Sequence, residues 1–183
     1  MLLGVLMGSL FLSQMIEGNP RAAVRVVIYE DLQCKDCASF RQMMDSYLIP
    51  RYGSKVAFEH RDFPLPKHDW ARKAAIASRH FESIRPESGI LFRRYVLELS
   101  NQINGSVFEE RVREFARDND FDPSDAIRAL RSNNLDEAVE NDYQEGMARG
   151  VSKVPTVFIG DQTFVEKFKR DAIATAIEKA LAQ

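Results

Sequence analysis

The placement of its two cysteines constrains this 183-residue chain more than any other feature. Cys34 and Cys37 are separated by Lys35-Asp36 and follow the run Val24-Arg25-Val26-Val27-Ile28-Tyr29, with Glu30-Asp31-Leu32-Gln33 between. The run is β-branched and aromatic, which predicts a buried strand. Beyond Cys37, Ala38, Met43, Met44, Tyr47 and Leu48 fall at helical spacing. The pair therefore sits where a strand ends and a helix begins. At that point the first helical N–H groups lack partners and the helix dipole presents partial positive charge. A thiol placed there ionises more easily, with a pKa of about 5 inside the range for such sites, and the thiolate is the species that attacks disulfides.

Two cysteines cannot make a disulfide scaffold, and a bridge across so short a loop constrains the unfolded chain little. A zinc site would need two further ligands, and His60, His68 and His80 fall at irregular spacing. Net charge is -2, so no basic excess suggests nucleic acid. The length suits one good core. The apolar stretch Met1–Ile16 fits a signal-peptide core, the remnant of a longer anchor or a first element of the fold, and is short for a membrane span.

Gly18-Asn19-Pro20 predicts a turn into the first strand. The helix from Cys34 runs toward Tyr52, and Pro50 should kink or stop it. Val56 to Arg61 alternates as a second strand, parallel to the first, closed by Phe63-Pro64-Leu65-Pro66. From Lys67 to Gly150 the pattern is helical. Ala71, Ala74, Ala75, Ser78 and Phe81 line one helix, while Ile90, Leu91, Tyr95, Leu97 and Leu99 belong to the next. Ser106-Val107-Phe108-Glu109 reads as a capping box, Asp122-Pro123 as an N-cap with proline behind it, and Leu135, Ala138, Val139, Tyr143 and Met147 as a last stripe ended by Gly150. Pro155–Ile159, the pair Gly160-Asp161 and Gln162–Val165 then predict a hairpin, and a final helix spans Lys169–Leu181. The order is β-α-β, a helical block, then β-β-α: an α/β fold with one small sheet and an inserted all-helical piece.

That order, with Glu30–Cys37, Arg61-Asp62-Phe63-Pro64-Leu65 and Gly150–Gly160, resembles the thioredoxin-like fold of the DsbA-type thiol–disulfide oxidoreductases. The resemblance divides the chain into an apolar segment 1–17, a thioredoxin-like domain of 18–66 and 151–183, and a helical subdomain 67–150. It implies Cys34 as exposed nucleophile, Cys37 as the buried resolving thiol, a cis Pro155, and a Val154 backbone that faces the site and pairs with substrate. It further implies a Cys34–Cys37 disulfide as the only redox group, with no metal or organic cofactor. Protein or peptide thiols would be the substrates. A partner such as a membrane quinone-linked oxidase would reset the pair, in a periplasmic or other extracytoplasmic location, with a cytoplasmic one still open. Oxidase is the favoured direction, and a reductase with the same sites or a non-catalytic peptide-binding module are the alternatives.

The family's intervening dipeptide is often Pro-His, whereas here it is Lys35-Asp36; Lys35 would lower the Cys34 pKa and Asp36 would raise it. Ile28 stands where thioredoxin-like proteins often hold a buried carboxylate. Glu30 is the nearest substitute for proton transfer to Cys37, against a plain reading as a solvated strand-end carboxylate. His60 reads as a core or surface histidine, Arg93-Arg94 as a solvated helix face, Met43-Met44 as packing and Trp70 as an anchor for the helical insert.

Overall fold

The computed structural model describes residues 15–183; all but the last two positions of the apolar stretch Met1–Ile16 lie outside the described residues. Five strands, β1 (Met15–Gly18), β2 (Val24–Glu30), β3 (Val56–Asp62), β4 (Thr156–Ile159) and β5 (Gln162–Val165), form one sheet in the order β1-β3-β2-β4-β5. β2 and β3 are parallel, and the other neighbours are antiparallel. The Val24–Tyr29 strand thus extends by one residue, and β1 emerges from the end of the apolar stretch. Glycine is required at Gly18, where φ is +84° and a Cβ would meet the Val56 carbonyl oxygen at 2.5 Å.

Registry brings three distant stretches to one end of the sheet. Tyr29 pairs with Thr156 and Glu30 with Asp62, so the loops after β2 and β3 and the loop before β4 share the C-terminal end of β2. Successive strand residues face opposite sides. Val26 and Ile28 join Phe40, Met44, Leu48, Ile173 and Ile177 on one face. Those partners come from α1 (Lys35–Met43), the π-helical turn Met44–Leu48 and α8 (Arg170–Leu181). The helical run does not stop at Pro50: it continues as α2 (Ile49–Tyr52), and the widened turn lies where proline removes an N–H donor.

The other face carries Tyr29 and Phe63 under α3 (Ala71–Ile84), α4 (Pro86–Glu98), α5 (Phe108–Asp118), α6 (Pro123–Ala129) and α7 (Asn133–Ala148). Phe81 lies at its centre, with ring centroids of Phe115 at 4.8 Å and of Phe92 and Phe121 at 5.1 Å. Trp70 is buried in the same core and stacks on Phe108 at 5.3 Å. Asp122 caps α6 as its sequence predicts, accepting from Ser124 and Asp125 N–H groups. The Ser106 capping box does not form. The Asn104 side chain instead accepts from the N–H groups of Ser106 and Val107, and α5 begins at Phe108 without a side-chain cap. Leu91 and Met147 point to solvent, because their neighbours Phe92 and Gly146 take the inward positions of their helices. Gly150, at φ +81°, ends α7 in the left-handed conformation expected of a C′ glycine.

Candidate active site

Cys34 is the N-cap residue of α1 and Cys37 lies one turn inside, so both sulfurs stand at the open end of the helix. Both thiols are free; Cys34 is half-buried and Cys37 has no exposed surface. The Cys34 thiol lies 3.7 Å from the Val154 carbonyl oxygen, which accepts from it, and the Val154–Pro155 peptide is cis. The Asp31 N–H donates to the Cys37 sulfur at 3.4 Å.

The two thiols are pushed in opposite directions. A hydrogen bond from the Cys37 thiol is the largest influence on Cys34 and lowers its pKa to about 6, helped by the backbone N–H groups of Cys37 and Asp36. Partial burial and the Asp31 carboxylate oppose that shift, which leaves the value above the roughly 5 expected for such a site. Cys37 goes well above an ordinary thiol, because burial, the Cys34 thiolate and the Glu30 charge all disfavour its ionisation.

Asp36 bears on Cys34 through its backbone N–H, which helps to lower the pKa. Lys35 is exposed, and the strongest influences on Cys34 are the hydrogen bonds and neighbours already named.

Glu30 is not a solvated strand-end carboxylate. It is 2% exposed and accepts from His60 Nδ1 at 2.6 Å and from Arg93 Nε at 3.0 Å. Burial alone would raise its pKa, but Arg93 and His60 outweigh burial and hold it at about 2. A carboxylate that weakly basic is a poor proton acceptor near neutral pH, so Glu30 can tune Cys37 electrostatically but is ill suited to carry its proton.

Glu30 belongs to a buried ionic network. His60 places its other nitrogen 3.1 Å from Glu17. With a carboxylate on each side both ring nitrogens donate, and despite burial the two carboxylates raise its pKa. Arg93 is 1% exposed and also donates to Asp62 at 2.6 Å, where Arg79 donates as well. Arg94 pairs with Glu17 at the edge. The solvated-face reading of Arg93-Arg94 therefore fails for Arg93, because Phe92 and Val96 beside it turn this stretch of α4 onto the sheet.

Two residues that sequence reasoning did not assign to the site complete it. The buried Asp31 carboxylate accepts from the N–H groups of Gln33 and Leu65, each at 2.7 Å, and lies 2.7 Å from His68 Nδ1. By sequence His68 is one of three histidines at irregular spacing for zinc, and among the described residues no group of three or more His, Cys, Asp or Glu side chains could hold a metal ion. The only local cue to Asp31 is a carboxylate three positions before a cysteine, and nothing in sequence pairs it with a histidine in another loop.

A central strand that delivers a dithiol to a helix N-terminus opposite a cis-proline loop defines a dithiol protein of thioredoxin fold. The chain belongs to the thioredoxin family: the family model Thioredoxin_4, described as Thioredoxin, matches residues 12–179. Among solved structures it is similar to α-DsbA1 of Wolbachia pipientis, at 17% identity and a TM-score of 0.81 over 93% of this chain and 92% of that one. It is also similar to oxidised BdbD of Bacillus subtilis, at 21% identity and a TM-score of 0.80 over 93% and 94%. The thiol–disulfide exchange protein α-DsbA2 of Wolbachia pipientis matches at 19% identity and a TM-score of 0.79 over 92% and 88%. The DsbA-like fold with its helical insert is thus shared, and no curated protein matches.

One consequence of the Cys34 environment is directly measurable. Thiolate absorbance of the reduced protein against pH should show an inflection near 6, absent in Cys34→Ser. The folded value lies below that of an unfolded thiol, about 8.5. The resulting stabilisation of the reduced form is therefore fully present above about pH 8.5 and is lost as pH falls through about 6. Denaturant midpoints of the reduced form should follow that curve; an inflection near 8.5 would contradict the assignment.

Proposed function

We propose that this protein is a thiol–disulfide oxidoreductase that passes a Cys34–Cys37 disulfide to protein or peptide thiols, acting as a DsbA-like oxidase. The observation that carries the reading is the opposed tuning of a half-buried Cys34, at about 6, and a fully buried Cys37, well above its usual value. A substrate thiolate attacks Cys34 Sγ, the Cys34–Cys37 bond breaks, and Cys37 takes up a proton. A second substrate thiol then attacks the substrate sulfur and expels Cys34 as a thiolate. A low-pKa thiol leaves fast, so this release step suits Cys34. In the reductive direction Cys37 must ionise in order to resolve the mixed disulfide, and its buried, raised thiol resists that.

Lys35 and Asp36 border the attacked sulfur, and the Val154–Pro155 backbone is the edge on which an extended substrate segment would pair. The dithiol is the whole redox group in this reading. A stable disulfide donor needs an oxidising compartment, which favours a periplasmic or other extracytoplasmic setting and a separate oxidase, such as a membrane quinone-linked one, to reset the pair. No helix among the described residues is long and apolar enough to cross a membrane.

Equilibration with glutathione tests the direction. At pH 7 the lowered Cys34 pKa favours the reduced form by about 1 kcal/mol after discounting its exposed half, or about 20 mV. That is a small part of the roughly 150 mV between thioredoxin and DsbA, so other features must add to it. A potential well above about −270 mV, toward −120 mV, is the expected result, and one at or below the thioredoxin value would make the protein a reductase.

A further inference from the structure

We propose that His68 is the base that takes the proton of the incoming substrate thiol, held in place by Asp31; this rests on the oxidoreductase reading above. The segment Leu65–Trp70 is fastened to the turn that carries Cys34. Asp31 accepts from the Leu65 N–H and from His68 Nδ1, Gln33 Nε2 donates to Asp69 at 2.9 Å, and the Trp70 N–H donates to Gln33 Oε1 at 3.0 Å. The imidazole is thereby held to the turn that carries the nucleophile, on the cleft that Cys34 also lines. His68 and Cys34 line one open cleft of about 500 Å³.

The tautomer follows from the hydrogen bond. A carboxylate facing Nδ1 makes that nitrogen the donor, which leaves the lone pair on Nε2. Nε2 has no hydrogen-bond partner among the described residues. A buried carboxylate that orients an imidazole, whose second nitrogen is free at a cleft holding a reactive sulfur, is an arrangement for moving a proton. The charged groups around it are Asp31, Lys35, Asp36 and Cys34 from the active-site turn and Lys67 and Asp69 from its own loop; the connection after α4 contributes only uncharged Ser100, Asn101 and Ile103.

The step balances. The first substrate S–H gives its proton to Nε2 as its sulfur attacks Cys34, and Nε2 later returns that proton to water. Cys37 takes a proton from water as it departs in that first attack, the second substrate thiol gives its proton to water as it expels Cys34 as a thiolate, and the two electrons of the substrate thiols reside in the reduced pair.

Assistance of this kind has a built-in ceiling. An ordinary thiol with a pKa of about 8.5 is about 3% ionised at pH 7, so a base can gain up to about 30-fold there and nothing once the substrate is ionised. The test is the rate at which the oxidised full chain oxidises a cysteine peptide between about pH 6 and pH 9.5, for wild type and His68→Asn. Asparagine keeps an amide N–H where Nδ1 donates to Asp31 but has no base at Nε2. A loss of about 10-fold at pH 7 that vanishes by about pH 9.5 is expected. His68→Gln carries the same expectation should the asparagine variant not fold. Equal rates at every pH, a loss that is the same at every pH, or failure of both variants to fold would make the Asp31–His68 pair a structural staple and overturn the inference. A wild type that oxidises no peptide overturns the oxidoreductase reading itself, together with the inference built on it.

Discussion

Cys34→Ala should lower the rate of disulfide exchange at pH 7 by at least about 100-fold, measured as turnover of a disulfide-reporter peptide. One unit above its pKa of about 6, Cys34 is about 90% thiolate at pH 7. Cys37, shifted well above 9.0 by burial, offers a thiolate fraction below about 1%. Its sulfur also has no exposed surface for a substrate to reach. Ionisation alone thus accounts for about two orders of magnitude, and lost access adds to it. A variant that keeps a tenth or more of the wild-type rate would mean that Cys37 is reachable and reactive, contrary to its burial.

The second large effect concerns stability. Arg93→Ala should cost about 3–5 kcal/mol, the range for removing one partner of a buried ion pair. Arg93 is the shared donor to Glu30 and Asp62, which are 2% and 0% exposed, so its loss leaves two buried carboxylates short of a cation. The pH dependence separates this from simple loss of packing. Burial favours the protonated acids, but Arg93 and His60 around Glu30, and Arg79 and Arg93 around Asp62, lower both folded pKa values. Their contribution is fully present above the unfolded values of about 4, and is lost as pH falls through about 2. The gap between wild type and variant in urea midpoint should therefore be widest near neutral pH and narrow in acid. A gap that does not change with pH would assign the loss to packing of the Arg93 side chain instead.

Much of this architecture is written in short-range pattern. The run Val24–Tyr29 is apolar but for Arg25 because β2 is covered on both faces, and Gly160-Asp161 sits between two strand patterns at the spacing of a two-residue turn. The cysteine pair is legible for the same reason, since its chemistry follows from a strand end and a helix start that adjoin in sequence. What stayed hidden depends on contacts between distant segments. An arginine among the helical charges looks solvated until Phe92 and Val96 turn it onto the sheet. Glu30 looks like a strand terminus until Arg93 and His60 close over it. Asp31 and His68 are 37 positions apart and meet because Glu30 and Asp62 are in register, which brings the two following loops together. The unformed capping box shows the converse: a matching motif loses when a nearer acceptor, Asn104, takes its N–H groups.

Exchange through Cys34 is tested most directly by exposing Cys37→Ala to a peptide disulfide and locating the adduct by mass spectrometry under non-reducing conditions. Attack by the half-buried, low-pKa thiol gives a mixed disulfide with the Cys34 sulfur that persists because nothing resolves it, while Cys34→Ala treated alike stays unmodified. An adduct on Cys37 in the Cys34→Ala protein, or none on Cys34 when Cys37 is absent, would contradict the account.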